Sequence, residues 1–266
     1  MAVATLPRIR ARAVGERGEI AAFLRRDRLY AAYALGDLDG PNRGRIAWAM
    51  AYDDAGRATA LAMHHEGLVP QPLFLMGAPD GCRAILEQVL KPRDAYLQGT
   101  DLHGAALRDL YELEPPTLMR RMVVDRHTFA PFAGPAERLT SMDIEDLNRL
   151  YQLGFRAGFP ASVLDDGVYY GLRVRGRLVS AAGTHAINPH EGIAVVGNVM
   201  THADFRGHDF AKMVTSAVTA LVTILAKSWP RKSACVMTLP TTAISSRELM
   251  ACVPAALTRR PRTRRP

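Results

Sequence analysis

From Val195 to Leu225 the chain reads VVGNVMTHADFRGHDFAKMVTSAVTALVTIL, and no other stretch limits the possible folds as much. A β-rich run ends at Thr201, a short polar connection leads to Arg206-Gly207, and a helix begins almost at once. On a helical period Phe210, Val214, Ala217, Val218, Leu221 and Leu225 share one face, the stripe of a helix lying against a sheet. The first amides of such a helix lack intrahelical acceptors and sit at the positive end of its dipole. Strand, glycine turn and helix in that order make an anion cradle, for which a diphosphate is the natural guest. The small residues Gly207 and Ala211 let the guest come close to the backbone.

The remaining pattern reads as α/β, with a mixed and mostly antiparallel sheet flanked by helices in each of two similar units. In the first half, helices are expected over 19–35, 80–90 and 102–113, with strands over 46–52, 58–63, 73–76 and 119–124. Pro131, Gly134 and Pro135 punctuate the chain, which sets a boundary near residue 135. The pattern then starts again: a helix over 143–154, strands over 168–174, 178–187, 193–200 and 234–239, and the long helix to about 226. The expected organisation is 1–135, 136–253 and a basic tail without structure over 254–266.

The block around Gly207 resembles the acetyl-CoA signature of the GCN5-related N-acetyltransferases (GNATs), Arg/Gln-x-x-Gly-x-Gly/Ala, at Arg206-Gly-His-Asp-Phe-Ala211. Asn198-Val-Met-Thr resembles the family's splayed fourth strand, and Tyr169 to Ile187 its second and third strands. The resemblance covers about 137–240. The first half resembles, through Tyr33-Ala-Leu-Gly-Asp-Leu, the degenerate acyltransferase-like domain of two-domain bacterial members and has no second signature. The resemblance implies acetyl-CoA as co-substrate and a primary amine as acceptor, joined by direct attack in a ternary complex. Val199, Met200 and Thr201 would line the pantetheine and acetyl group, and a backbone N–H near Val199 would polarise the thioester carbonyl. Arg206, Gly207, His208, Asp209, Phe210, Ala211 and Lys212 would hold the diphosphate.

Two positions depart from the family. Asp209 stands where the signature has glycine, and its carboxylate opposes a phosphate while suiting the first turn of a free helix. No tyrosine follows Tyr170, so the helix expected over 241–249 lacks the family's proton donor, for which Cys235 and Cys252 are poor substitutes. For a base, Glu191, His185, His190 and His202 lie near the expected cleft, each also readable as a loop or surface residue. Asp165-Asp166 reads as a solvated turn. These departures leave open a relative that binds acyl-CoA or a partner without turnover.

Composition closes other routes. No apolar run approaches the roughly 18 residues of a membrane span, and Met1 to Arg12 does not read as a secretory signal. Cys82, Cys235 and Cys252 are odd in number and far apart, which fits a reducing cytoplasm and no metal site. The net charge of +8 owes much to five arginines in the last eight residues, which alone make a weak case for nucleic acid.

Overall fold

The structure, a computed structural model, describes residues 9–40, 43–68, 71–117, 119–125, 127–152, 158–225, 234–240 and 253–259. By internal contacts the described residues up to Ala34, those from Pro41 to Arg120 and those from Pro240 onward form one unit. Leu35–Gly40 together with Arg121–Leu239 form the other.

In the first unit, strands numbered along the chain line up as β1 (Arg10–Ala13), β2 (Ile46–Tyr52), β3 (Ala58–His65), β4 (Pro72–Gly77), β5 (Asp94–Gly99), β13 (Val253–Arg259) and β6 (Tyr111–Leu113). Only β4 and β5 run parallel among the described pairs. Helix α3 (Pro79–Gln88) buries Cys82, Ile85 and Leu86 against Ala49, Ala51, Ala60, Ala62, Leu73 and Leu75 of the sheet. Each fully buried Leu or Ile stabilises the unit by about 1.5–3 kcal/mol.

The expected helix over 19–35 is two helices, α1 (Arg17–Leu24) and α2 (Ala32–Asp37). Between them the Asp27 carboxylate accepts the Tyr30 amide at 3.0 Å, a local bond that competes with the helix. The helix expected over 102–113 stops as α4 (Asp101–Leu107), because Tyr111 enters the sheet opposite Arg259 and is buried. Strand β5 was not expected. Its alternation buries Ala95, Leu97 and Gly99.

The reading of 254–266 as a tail without structure does not hold for Val253–Arg259, which forms a strand between β5 and β6. Pro254 hid it, since proline cannot donate within a central ladder. Here Pro254 pairs with Gln98 of β5 alone among the described strands, since β6 joins only from Leu257 onward, so one side of Pro254 has no ladder to interrupt.

The second sheet runs β7 (Met119–Val124), β12 (Ala234–Pro240), β11 (Ile193–Thr201), β10 (Arg177–Asn188), β9 (Tyr169–Val174) and β8 (Glu137–Arg138). The strand that ends the first half of the sequence thus belongs to the second sheet, and the chain passes between units near residue 120 rather than 135. Residues beyond it follow helix α7 (Phe210–Leu225): the Phe132 amide donates to Ser216 Oγ at 2.8 Å. Gly134 lies on Met213, whose Cγ would be 2.4 Å from any added Cβ.

Helix α7 covers one face of this sheet, with Val214, Val218 and Val222 packed on Val168, Leu172, Val179, Ala182, Ala194 and Val196. Helices α5 (Ile144–Tyr151) and α6 (Ser162–Asp166) cover the other, with Leu147, Leu150, Tyr151 and Leu164 packed on Tyr169, Leu178 and Ala181. Asp165 and Asp166, expected in a turn, close α6. On β9, Arg173 binds Glu137, Asp143 and Asp146 at 2.7, 2.7 and 2.5 Å and ties β8, β9 and α5 together.

Candidate active site

β11 pairs with its parallel neighbour β12 for four residues only, from Ile193 opposite Ala234 to Val196 opposite Met237. β11 runs on to Thr201 and β12 to Pro240 without further pairing, so the two strands part. Beyond Val196, β11 remains bonded to β10 alone, through Gly197 opposite Gly183, Met200 opposite Ala181 and Thr201 opposite Ser180. Its other edge pairs with no strand among the described residues, and an extended chain bearing amides can bond there as an added strand would.

Within that open stretch, Asn198 and Val199 together oppose the single residue Ala182, which is a bulge. Asn198 sits at φ +51°. The bulge shifts the alternation by one, so Val199 joins the core beneath α7 while Met200 packs with the α5 side. Two buried tyrosines brace it. The Tyr151 hydroxyl donates to the Asn198 carbonyl, and Asn198 Nδ2 donates to Tyr169 Oη at 2.9 Å. Burial pushes the Tyr169 phenol up to about 12 and raises that of Tyr151, so both stay neutral, Tyr151 as donor and Tyr169 as acceptor. Gly183 is required beside them, since a Cβ there would meet the Tyr169 ring at 2.1 Å. Sequence reasoning missed these tyrosines, which look like ordinary core residues. Thr201 completes the strand with its hydroxyl 2.8 Å from Ser180 Oγ.

After Thr201 comes one turn, Ala203–Phe205, whose closing bonds use the Phe205 and Arg206 amides. The next six amides, Gly207 through Lys212, have no acceptor among the described residues. The Asp209 carbonyl takes the Met213 amide at 3.0 Å, which starts α7. Gly207 at φ +81° and Asp209 at φ +58° are both left-handed, a turn geometry that points successive N–H groups into one concavity. A Cβ on Gly207 would meet nothing within 4 Å, so the space before these amides is open. The Arg206 side chain is exposed and has no hydrogen-bond or ion-pair partner among the described residues. Lys212 pairs with Asp209 at 2.7 Å. His208 turns inward on its own loop, with Nδ1 2.9 Å from the Arg206 carbonyl. Val199–Thr201 thus end β11, and Arg206–Lys212 follow one turn later at the start of α7.

The other expected residues lie elsewhere. Glu191 and His190 occupy the turn before β11, with Glu191 buried and its amide on Asn188 Oδ1 at 3.2 Å. From Ile193 to Asn198 alone is about 17 Å of strand, which keeps both away from the bulge. His185 is the extra residue of a bulge on β10, between Thr184 opposite Val196 and Ala186 opposite Val195, and is exposed. His202 accepts the Asp204 amide at 3.3 Å and stays in its turn. The helix expected over 241–249, Cys252 and the Cys235 side chain lie outside the described residues. No group of three or more candidate metal ligands occurs among the described residues.

No family model and no curated protein matches the chain. Solved structures do match. A GCN5-related N-acetyltransferase from Sphaerobacter thermophilus superposes with a TM-score of 0.53 at 14% identity, over 94% of this chain and 95% of that one. A tandem GNAT protein from the clavulanic acid biosynthesis pathway, solved without AcCoA, gives 0.51 at 11% identity over 95% and 98%. The fold is that of a tandem GNAT. A GCN5-related N-acetyltransferase from Kribbella flavida also matches, at 0.51 and 15% identity over 76% and 86%.

The first unit repeats the strand divergence and fills it. β4 and β5 pair from Pro72 opposite Tyr96 to Phe74 opposite Gln98 and no further. Past that point the Leu75 carbonyl accepts the Tyr30 hydroxyl at 2.7 Å, and the Gly77 carbonyl lies 2.9 Å from His103 Nε2. His103 Nδ1 takes the Thr100 amide at 3.1 Å, so Nε2 carries the proton donated to Gly77. A single residue, Ala78, links β4 to α3, and Pro79 at the helix start has no N–H. The described residues therefore form one cradle, in the second unit.

Proposed function

We propose that the second unit binds acetyl-CoA and transfers its acetyl group to a primary amine by direct attack in a ternary complex. The observation that carries this reading is the edge of β11 that, among the described residues, pairs with no strand beyond Val196 and leads to six amides without acceptors. Phosphates suit amides at a helix start, and an extended pantetheine arm carries amides that suit an open strand edge. In this reading the backbone from Gly207 to Lys212 holds the diphosphate, with Arg206 beside it, and Gly197 to Thr201 pairs with the pantetheine. The Asn198–Val199 bulge, which breaks the ladder, supplies the N–H that polarises the thioester carbonyl. Holding amine and thioester together replaces a bimolecular encounter, worth roughly 7–11 kcal/mol in ideal cases.

Calorimetry with acetyl-CoA, followed by thiol release in the presence of primary amines, tests the reading. One site per chain is expected. A chain that binds no CoA ester, or two per chain, contradicts it.

A further inference from the structure

We propose that Asp37 is the general base that takes a proton from the acceptor amine. This rests on the acetyltransferase reading and names a residue that its sequence position, in the first half of the chain, conceals.

Leu35–Gly40 belongs to the second unit, and its seat there is tight. A Cβ on Gly36 would come within 2.5 Å of the Ala186 Cβ on β10 and 3.9 Å of Val195 Cγ2 on β11. Asn188 Nδ2 donates to the Leu35 carbonyl at 2.7 Å and to Asp39 Oδ2 at 2.9 Å, and the Gly40 amide closes on the Asp37 carbonyl at 3.2 Å. Asp37 is thus held between two anchored neighbours. Ala194 and Val196 enter the core beneath α7, so Val195 between them points to the opposite face, and Gly36 lies there with it, Asp37 being the next residue along. Along β11 that point is three residues from Asn198, about 10 Å, a span that an amine and a bridging water fill.

The carboxylate itself is half-buried and has no hydrogen-bond or ion-pair partner among the described residues. Burial pushes its carboxyl up to about 7. A base with that affinity takes a proton efficiently near neutral pH. The charged and titratable groups on the elements packed against this segment are Asp39, engaged with Asn188, His185 on the β10 bulge, and His190 and Glu191 in the turn before β11. In the reaction the ammonium gives one proton to Asp37, and the neutral amine attacks the carbonyl carbon. The C–N bond forms and the C–S bond breaks. The second proton of the nitrogen ends on the departing thiolate, and Asp37 returns its proton to solvent.

The test uses the full chain with Asp37→Asn and Asp37→Glu, acetyl-CoA, and glucosamine, spermidine, lysine and tyramine as amines. For the best of these, Asp37→Asn is expected to lower kcat by about 10²-fold or more while the acetyl-CoA Kd stays within about twofold. The rise of wild-type rate with pH, centred near 7, should vanish in Asp37→Asn and return in Asp37→Glu. Melting should not drop, because a desolvated carboxylate without a partner is a cost to the fold, whereas a structural one would show a loss. Asp37→Asn with wild-type rate and pH profile overturns the assignment alone. A wild-type chain that binds acetyl-CoA but acetylates none of the four amines also overturns it. A chain that does not bind acetyl-CoA overturns it together with the reading beneath it.

Discussion

Asp209 offers the sharpest perturbation of the cradle. It carries a negative charge among six amides that face an anion, in a left-handed conformation at φ +58°. The family's usual glycine there is explained by that angle, and aspartate is one of the few side chains to tolerate it. A carboxylate about 4 Å from a phosphate opposes it by about 4 kcal/mol at an effective dielectric of 20, and by about 1 kcal/mol in water. Asp209 is exposed and Lys212 sits 2.7 Å from its Oδ1, so the water limit applies. Asp209→Asn should therefore tighten acetyl-CoA by about 1 kcal/mol, roughly fivefold in Kd, with Lys212 released toward the phosphates. Asp209→Gly should tighten it equally and also raise the melting temperature, since relief of left-handed strain is worth about 1–2 kcal/mol. Calorimetry at low and high salt separates these effects, because the charge contribution shrinks with screening. If both variants bind like wild type at low salt, the diphosphate does not sit at these amides, and the argument for the cradle fails.

Three further outcomes follow from the packing. Tyr151→Phe strips the donor from the Asn198 carbonyl and should cost about 1–2 kcal/mol of stability. It should also lower kcat more than it weakens acetyl-CoA; an unaltered kcat would mean the bulge needs no brace. Arg173→Met leaves Glu137, Asp143 and Asp146 without their common cation and should cost about 2 kcal/mol in a urea melt, the partial exposure of all four groups keeping the loss moderate. Burial holds the His103 imidazole below its ordinary value, so the unfolded chain takes up the proton first. Its contribution is whole above about pH 6.5 and declines as pH falls toward the lower folded value. Comparing wild type with His103→Gln at pH 7.5 and 5.5 should show a smaller acid loss in the variant, and identical losses would refute the sign.

The cradle was legible because its physics lies in the backbone: an apolar run, a glycine turn and a helical stripe announce free amides whatever the side chains. The two sheets were legible in the same way, through alternation and turns. What escaped depends on distant partners. β13 reads as a tail because its definition comes from β5 and β6, more than a hundred residues earlier. Tyr151 and Tyr169 have the appearance of core fillers, and only the bulge they hold gives their hydroxyls a purpose. Glu191, His185 and His190 attracted notice by residue type and by nearness in sequence to β11. Asp37 did not, since about 150 residues separate it from the strand it approaches.

The placement of β13 bears on how the chain is made. While it is being synthesised, β5 and β6 emerge without the strand that belongs between them, and their facing edges stay open until Arg259 has left the ribosome. The unit translated first is thus finished last, and shortening the chain before Val253 would leave its damage at the opposite end of the sequence, in a sheet with two exposed edges prone to pair with a neighbouring molecule.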